Sequence, residues 1–221
     1  ASGAWPLDPT WFYQKGSGPL FDMGVYGIHE ITGILGPARR VTAFSGITEP
    51  VRTVRGGPFK GKKIDVTADD NVLLMLDFGG STFAVVDGTF NVNAAKSPKI
   101  EIFGREGTIN VGDGRGESSG LEVFRVDAMP GLSGWIEPSL REHAAVNRRY
   151  SELKRAVLVD HLIDCVNGAT PVLTGEHARH ALEIMLKADE SARTGRAIEL
   201  TTTFGDQGAR REVAAEAAGG R

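Results

Sequence analysis

"GSGPLFDMGVYGIHEITGILGP", residues Gly16 to Pro37, has the apolar spacing of a helix yet carries Gly24, Gly27 and Gly33 inside it. Pro19 suits a first helical position, where a missing N–H costs nothing, and Gly36-Pro37 is a stop signal. The spacing therefore predicts a helix over Pro19–Leu35. With Asp22 set at zero and about 100° per residue, Tyr26 falls at about 40°, His29 at about 340° and Gly33 at about 20°. Leu20, Gly24, Gly27, Ile28, Ile31, Ile34 and Leu35 fall opposite, between about 120° and 240°. Gly24 and Gly27 thus belong to the buried face, where they let a neighbour approach, at about 1 kcal/mol each in helix propensity. The other arc presents Asp22, Tyr26 and His29, residues that hold and move protons. It is either a functional face or a solvent face on which Asp22 complements the helix dipole. The residues alone leave both readings open.

The helix opens a chain of 221 residues, enough for one large domain or two small ones with a real core. A net charge of −3 gives no reason to expect nucleic acid or another polyanion, so Lys60-Gly61-Lys62-Lys63 reads as a solvated loop. No run of 18 apolar residues predicts a membrane span and no signal-peptide pattern stands at the start. A single cysteine, Cys165, excludes an intrachain disulfide framework and fits a reducing, cytoplasmic setting; inside "LVDHLIDCV" it reads as buried filler.

Residues 1–18 are loop-like. After the helix come strand patterns at 38–47, 70–78, 81–92, 99–104, 107–112 and 120–129, with tight turns at Gly79-Gly80 and Arg105-Glu106. Two amphipathic helices follow at 144–168 and 174–195, stopped by Gly168 and Gly195, with Thr174 as N-cap of the second. A last strand is expected at 197–204, so the domain is read as 1–204, with a mobile tail at 205–221. The class is α+β: one large, mostly antiparallel sheet with helices on one face. "NVLLMLDF" is apolar in consecutive positions, which predicts burial on both faces and hence a partner sheet or subunit.

Competing motifs are weak. His177-x-x-His180, with His161 on the preceding helix, could hold a metal, but His180 beside alanines suits packing, and no metal site is expected. "GSGPLF" and "GDGRG" lack the Gly-x-Gly-x-x-Gly turn of a dinucleotide site. No Gly-x-Ser-x-Gly elbow occurs.

"WFYQKGSGPLFDMGVYGIHEITGILGPARRVTA" resembles the start of the C-terminal domain of the Gfo/Idh/MocA oxidoreductase family: a Gly-rich turn, Asp-x-Gly-x-(His or Tyr), then an aliphatic run ending in Leu-Gly. "PKIEIFGREGTINV" and "LEIMLKADESARTGRAIEL" are similar to two later family stretches, so the resemblance spans about residues 5 to 204 in order. It implies an open-faced antiparallel sheet domain, like the C-terminal domain of glyceraldehyde-3-phosphate dehydrogenase, that supplies a substrate pocket and joins subunits through its sheet face. It also implies that Asp22 and Tyr26 are the catalytic positions. Tyr in place of His makes the chain similar to the members typified by glucose–fructose oxidoreductase and dimeric dihydrodiol dehydrogenase, with Tyr26 as acid/base and Asp22 orienting the site. His29 would bind a sugar hydroxyl and Tyr13 would wall the pocket. The implied substrate is a sugar, polyol or related CH–OH compound, and the implied cofactor NAD or NADP.

Two family features are missing: the Glu-Lys-Pro tripeptide with the catalytic lysine, and the Rossmann strand–glycine-loop–helix. The expectation is therefore a substrate-binding and oligomerisation half that binds no nicotinamide and does no redox chemistry alone. The alternatives are a non-enzymatic sheet module for dimerisation, and a metal hydrolase built on His177 and His180.

Overall fold

The ordering force in the first half of the chain is alternation, which carries one strand through the middle of a sheet. In the computed structural model, described for residues 6–112, 120–126, 134–137, 159–171 and 174–205, a 3-10 helix spans Pro9–Tyr13 and a π-helical turn, Leu20–Gly24, runs into α1, Val25–Leu35. Strands follow at β1 (Arg40–Gly46), β2 (Val51–Thr53), β3 (Lys63–Asp65), β4 (Asn71–Gly79) and β5 (Thr82–Thr89). Then come β6 (Ile100–Gly104), β7 (Gly107–Val111), β8 (Leu121–Arg125) and β9 (Trp135–Ile136). Residues 159–166 form α2, and α3 (Gly175–Thr194) and β10 (Ile198–Glu199) complete the order. Two compact units result: residues 1–93 with 173–221, and residues 94–172.

The first unit is built on an antiparallel sheet in the order β10-β1-β4-β5. β4 buries Val72, Leu74 and Leu76, and β1 buries Val41 and Ala43, against Ile28 of α1 and Ile184 and Ala188 of α3. Ser191 ties α3 to β1: its Oγ accepts the Ala43 N–H at 3.0 Å and donates to the Arg196 carbonyl. Thr174 caps α3 by accepting the His177 N–H, and Gly195 ends it with φ +68°.

The helix occupies the expected Pro19–Leu35 span, but its first turn is π. Gly18 enters it at φ +101°, where a Cβ would stand 2.8 Å from the Asp69 carbonyl oxygen, so only glycine fits. Gly27 faces Val86 of β5, whereas Gly24 is covered by Leu20 of its own helix. The close approach of main chains lies elsewhere, at Gly88, where a Cβ would meet Leu20 Cα at 3.5 Å.

The outer face of this sheet is apolar. Phe44, Leu73, Met75, Phe83 and Val85 are exposed, Phe44 by 80%. The both-sided burial expected for β4 is therefore one-sided in a single chain. A separate ribbon, β2–β3, packs Val54, Ile64 and Val66 with Tyr13 into a second small core.

The second unit, taken alone, is an antiparallel meander β6-β7-β8-β9, with Arg105-Glu106 as the two-residue turn between its first strands. Class and strand direction follow the sequence. Among the described residues, however, the strands form two four-stranded sheets and a ribbon, and residues 90–99 join none of them. The strand expected at 197–204 stops at Glu199, since Thr201 and Thr202 give their N–H groups to the Glu183 carboxylate instead. Cys165 is half-buried, 3.5 Å from His161 Nε2, rather than core filler. The helix expected at 144–168 lies within the described residues only from 159, and the tail 205–221 only at Gly205. No helix among the described residues is long and apolar enough to cross a membrane.

Leu76 is fully buried. Leu76→Ala is expected to lower the unfolding free energy by about 2–5 kcal/mol, read as a shift in the urea midpoint at unchanged slope.

Candidate active site

A cavity of about 420 Å³ opens in the first unit, between the 3-10 helix, the first turn of the long helix and the β2–β3 ribbon. Phe12, Tyr13, Phe59 and Phe90 supply apolar wall, and Asp22, Glu49, Arg52 and Arg55 supply charge. Tyr13 is buried, edge-on to Phe90, with the Arg52 guanidinium 5.3 Å from its ring centre. Burial, only partly offset by Arg52, pushes the Tyr13 phenol up.

Arg52 is held by a buried carboxylate. Its Nη2 lies 2.7 Å from Asp70 Oδ2 and also donates to Asn91 Oδ1; Nη1 stands 3.7 Å from Glu49. Asp70, 1% exposed, further accepts the Thr48 N–H, the Thr48 hydroxyl and the Glu49 N–H. Burial alone would raise this carboxyl, but the Arg52 guanidinium and those donors outweigh it and hold it at about 2.

The four residues singled out by sequence part company here. Asp22 and Tyr13 line the cavity; Tyr26 and His29 do not. Asp22 is half-buried, burial pushes its carboxyl up, and its side chain makes no hydrogen bond among the described residues. Tyr26, one turn on, is 60% exposed. His29 turns toward α3, its ring 4.9 Å from that of His177. The π turn is the reason: with i→i+5 bonding the 100° wheel holds from Val25 onward but not across Leu20–Gly24. The buried stripe of α1 follows Ile28 and Thr32, so His29 sits at its edge rather than beside Asp22 in an open arc.

His177 and His180 are used in packing. The Thr32 hydroxyl donates to the Ile28 carbonyl at 2.6 Å, so His177 Nε2 donates to Thr32 Oγ1 at 2.7 Å. His180 Nε2 accepts the Ala38 N–H at 3.0 Å, and His180 Nδ1 donates to Thr202 Oγ1, which donates to Glu183. Burial lowers the pKa of both histidines. Glu183 receives four hydrogen bonds from Thr201 and Thr202, which overcome its burial and hold it at about 2. Among the described residues no three His, Cys, Asp or Glu side chains are grouped to hold a metal.

Sequence reasoning missed Arg52, Arg55 and Asp70. A signal existed in "VRTV": strand alternation turns Arg52 and Val54 to the same side, and an inward arginine demands a carboxylate.

Folded Asp70 and Glu183 titrate near 2, below unfolded Asp and Glu at about 4. Their stabilisation is complete above about pH 4.5 and is lost as pH falls toward 2. Urea midpoints are expected to drop across that window, and Asp70→Asn to flatten the drop while lowering the midpoint at pH 7.

A sequence profile described as the GFO/IDH/MocA C-terminal domain matches residues 1–110. No curated protein matches the chain. Several solved structures share its fold. An NAD binding oxidoreductase from Klebsiella pneumoniae is 19% identical with TM-score 0.70, covering 91% of this chain and 57% of its own. Levoglucosan dehydrogenase in complex with NADH and L-sorbose is 24% identical with TM-score 0.67, covering 90% and 57%. The WlbA dehydrogenase from Bordetella pertussis, in complex with NADH and UDP-GlcNAcA, is 17% identical with TM-score 0.57, covering 83% and 48%. The chain thus spans roughly half the length of the proteins it resembles. With its first half matched by the profile and its fold shared with these oxidoreductases, the chain belongs to the GFO/IDH/MocA C-terminal domain family.

Proposed function

We propose that this chain is the substrate-binding and oligomerisation part of an NAD(P)-dependent oxidoreductase acting on the CH–OH group of a sugar, polyol or related compound. The observation that carries the reading is Asp22, an uncommitted half-buried carboxylate on a cavity wall, on the helix that bears the family motif. The sugar ligands of levoglucosan dehydrogenase and the nucleotide sugar of the WlbA dehydrogenase support a sugar-like substrate.

Oxidation of a carbinol separates a hydride from carbon and a proton from oxygen, and this chain's share is the proton. Tyr26 exchanges it with the substrate hydroxyl; its exposure leaves the phenol open to a ligand. Asp22 accepts the hydroxyl's hydrogen bond and orients it. Tyr13 walls the site. His29, turned toward His177 of α3, stands outside the cavity and takes no part in this scheme. Strand pairings among the described residues are all antiparallel, and no glycine-rich loop leads from a parallel strand into a helix. These residues do not fit a dinucleotide, so the nicotinamide belongs to another domain of the working protein.

The outer sheet face of Phe44, Leu73, Met75, Phe83 and Val85 is assigned to a second copy of the chain in an isologous dimer. This face would equally serve a purely structural module, and Tyr26 discriminates between the two readings.

In the protein that carries both domains, Tyr26→Phe is expected to lower kcat about 10²–10⁴-fold with the dissociation constant for the nicotinamide unchanged; unchanged kcat removes Tyr26 from the mechanism. Light scattering on the chain itself is expected to give a dimer, and Phe44→Glu a monomer with an unchanged circular dichroism spectrum.

A further inference from the structure

The seam between α1 and α3 is held by two imidazoles that have no place for a further proton. His177 and His180 are both fully buried. His177 Nε2–H is given to Thr32 Oγ1 at 2.7 Å, which leaves Nδ1 a bare acceptor, buried and without a hydrogen-bond partner among the described residues. His180 is committed at both ends: Nδ1–H goes to Thr202 Oγ1 at 2.9 Å, and Nε2 accepts the Ala38 N–H at 3.0 Å. A proton on His177 Nδ1 would be a buried donor with nothing to receive it. A proton on His180 Nε2 would face the Ala38 N–H, donor against donor. The surroundings repair neither fault. His29 Nδ1 is itself buried without a partner, so no hydrogen bond joins it to the His177 ring 4.9 Å away. Phe204 stacks on His177 at 4.2 Å and brings only an apolar ring. The charges acting on His177 are His29 of α1 and His180 of its own helix, and the neighbouring Glu30 and Glu176 are not among them. Glu183 favours a charge on His180, but Thr201 and Thr202 already occupy its carboxylate, and burial prevails.

We propose that His177 and His180 form an acid-sensitive latch: a proton on either ring frees the C-terminal part of α1 and the Ala38 corner from α3 while the sheet stays folded. The effect reaches the cavity, because α1 carries Tyr26 and continues the π turn that sets Asp22 on the cavity wall. Mild acid thus loosens the helix on which the site is built, and neutral pH restores it. Burial holds both rings below the ordinary value of 6.5. The latch is therefore at full strength above about pH 6.5 and weakens as pH falls below it. That window is separate from the one set by Asp70 and Glu183, which opens only below about pH 4.5. The latch is a property of the chain itself, whatever reaction the cavity serves.

The test is amide hydrogen exchange on the 221-residue chain, whose first unit contains every group of the latch, at about pH 7.5 and about pH 5.5 with correction for intrinsic rates. Each histidine can weaken the latch up to about tenfold per pH unit below 6.5. Protection of Ala38 and of α1 from Ile28 to Leu35 is expected to fall at least about tenfold at the lower pH, and to lie there at least about tenfold below that of Leu74 and Leu76 in the central strand. In His177→Gln, which takes no proton, the fall is expected to be at least about threefold smaller. Imidazole nitrogen shifts of the unaltered chain give a second reading, independent of whether that variant folds. His177 Nδ1 and His180 Nε2 are expected to gain protons only in the pH range where Ala38 loses protection. Equal protection of Ala38 at the two pH values overturns the latch, and so does a fall undiminished in a folded His177→Gln. Protection of Ala38 and Leu74 that is equal at the lower pH means that the whole unit opens, and overturns it too. Protonation of both rings with Ala38 still protected does the same.

Discussion

One buried ion pair organises the ligand-facing side of the first unit. Asp70 is fully enclosed, and a carboxylate can stay charged there only because every lone pair is answered. The answers come from different parts of the chain: Thr48 and Glu49 from the loop after β1, and Arg52 from β2. The Asp70 main chain adds Gly46 at the end of β1 and Phe90 just beyond β5. A single residue at the mouth of β4 therefore draws the end of the main sheet and the ribbon together. Removing one partner of such a pair leaves a buried charge, which costs about 3–5 kcal/mol and releases the wall on which Tyr13 and Arg52 stack.

Much of this was legible in the residues, and the reasons for the gaps are physical. The existence of β4, the Pro19 start and Gly36 stop, the Arg105-Glu106 turn and the Thr174 cap are local signals, decided within a few residues. The ribbon β2–β3 escaped notice because three-residue strands carry too little periodicity to stand out from a Gly-, Pro- and Lys-rich loop. The early end of β10 is a tertiary effect: Glu183, on the preceding helix, outcompetes a neighbouring strand for the amides of Thr201 and Thr202.

The candidate site shows the same division. Asp22 was picked out from residue type and position, and it lines the cavity. That Asp22 and His29 face different neighbours was not, because the π turn breaks the wheel on which they share an arc. A π-helical turn is held by context rather than by composition. Here the context is the close seat of Leu20 on Gly88 and the tight entry at Gly18, both invisible to helical periodicity.

The two-sided apolar character of β4 has a consequence for how the sheet finds its alignment. In a strand with one polar face, a slip of one residue would bury polar groups and be rejected at once. In β4 a slip would trade Val72, Leu74 and Leu76 for Leu73 and Met75 with Asn71 or Asp77, so that only the ends of the strand would register the error. Alignment must then be enforced at the strand's ends: by Asp70 at its entrance, and by Arg40 on Asp77 with the Gly79–Thr82 turn at its exit. These polar pins act as spelling checks on a strand whose own letters are too alike, and a chain that loses them is exposed to misregistered, aggregation-prone pairings before it loses any hydrophobic contact.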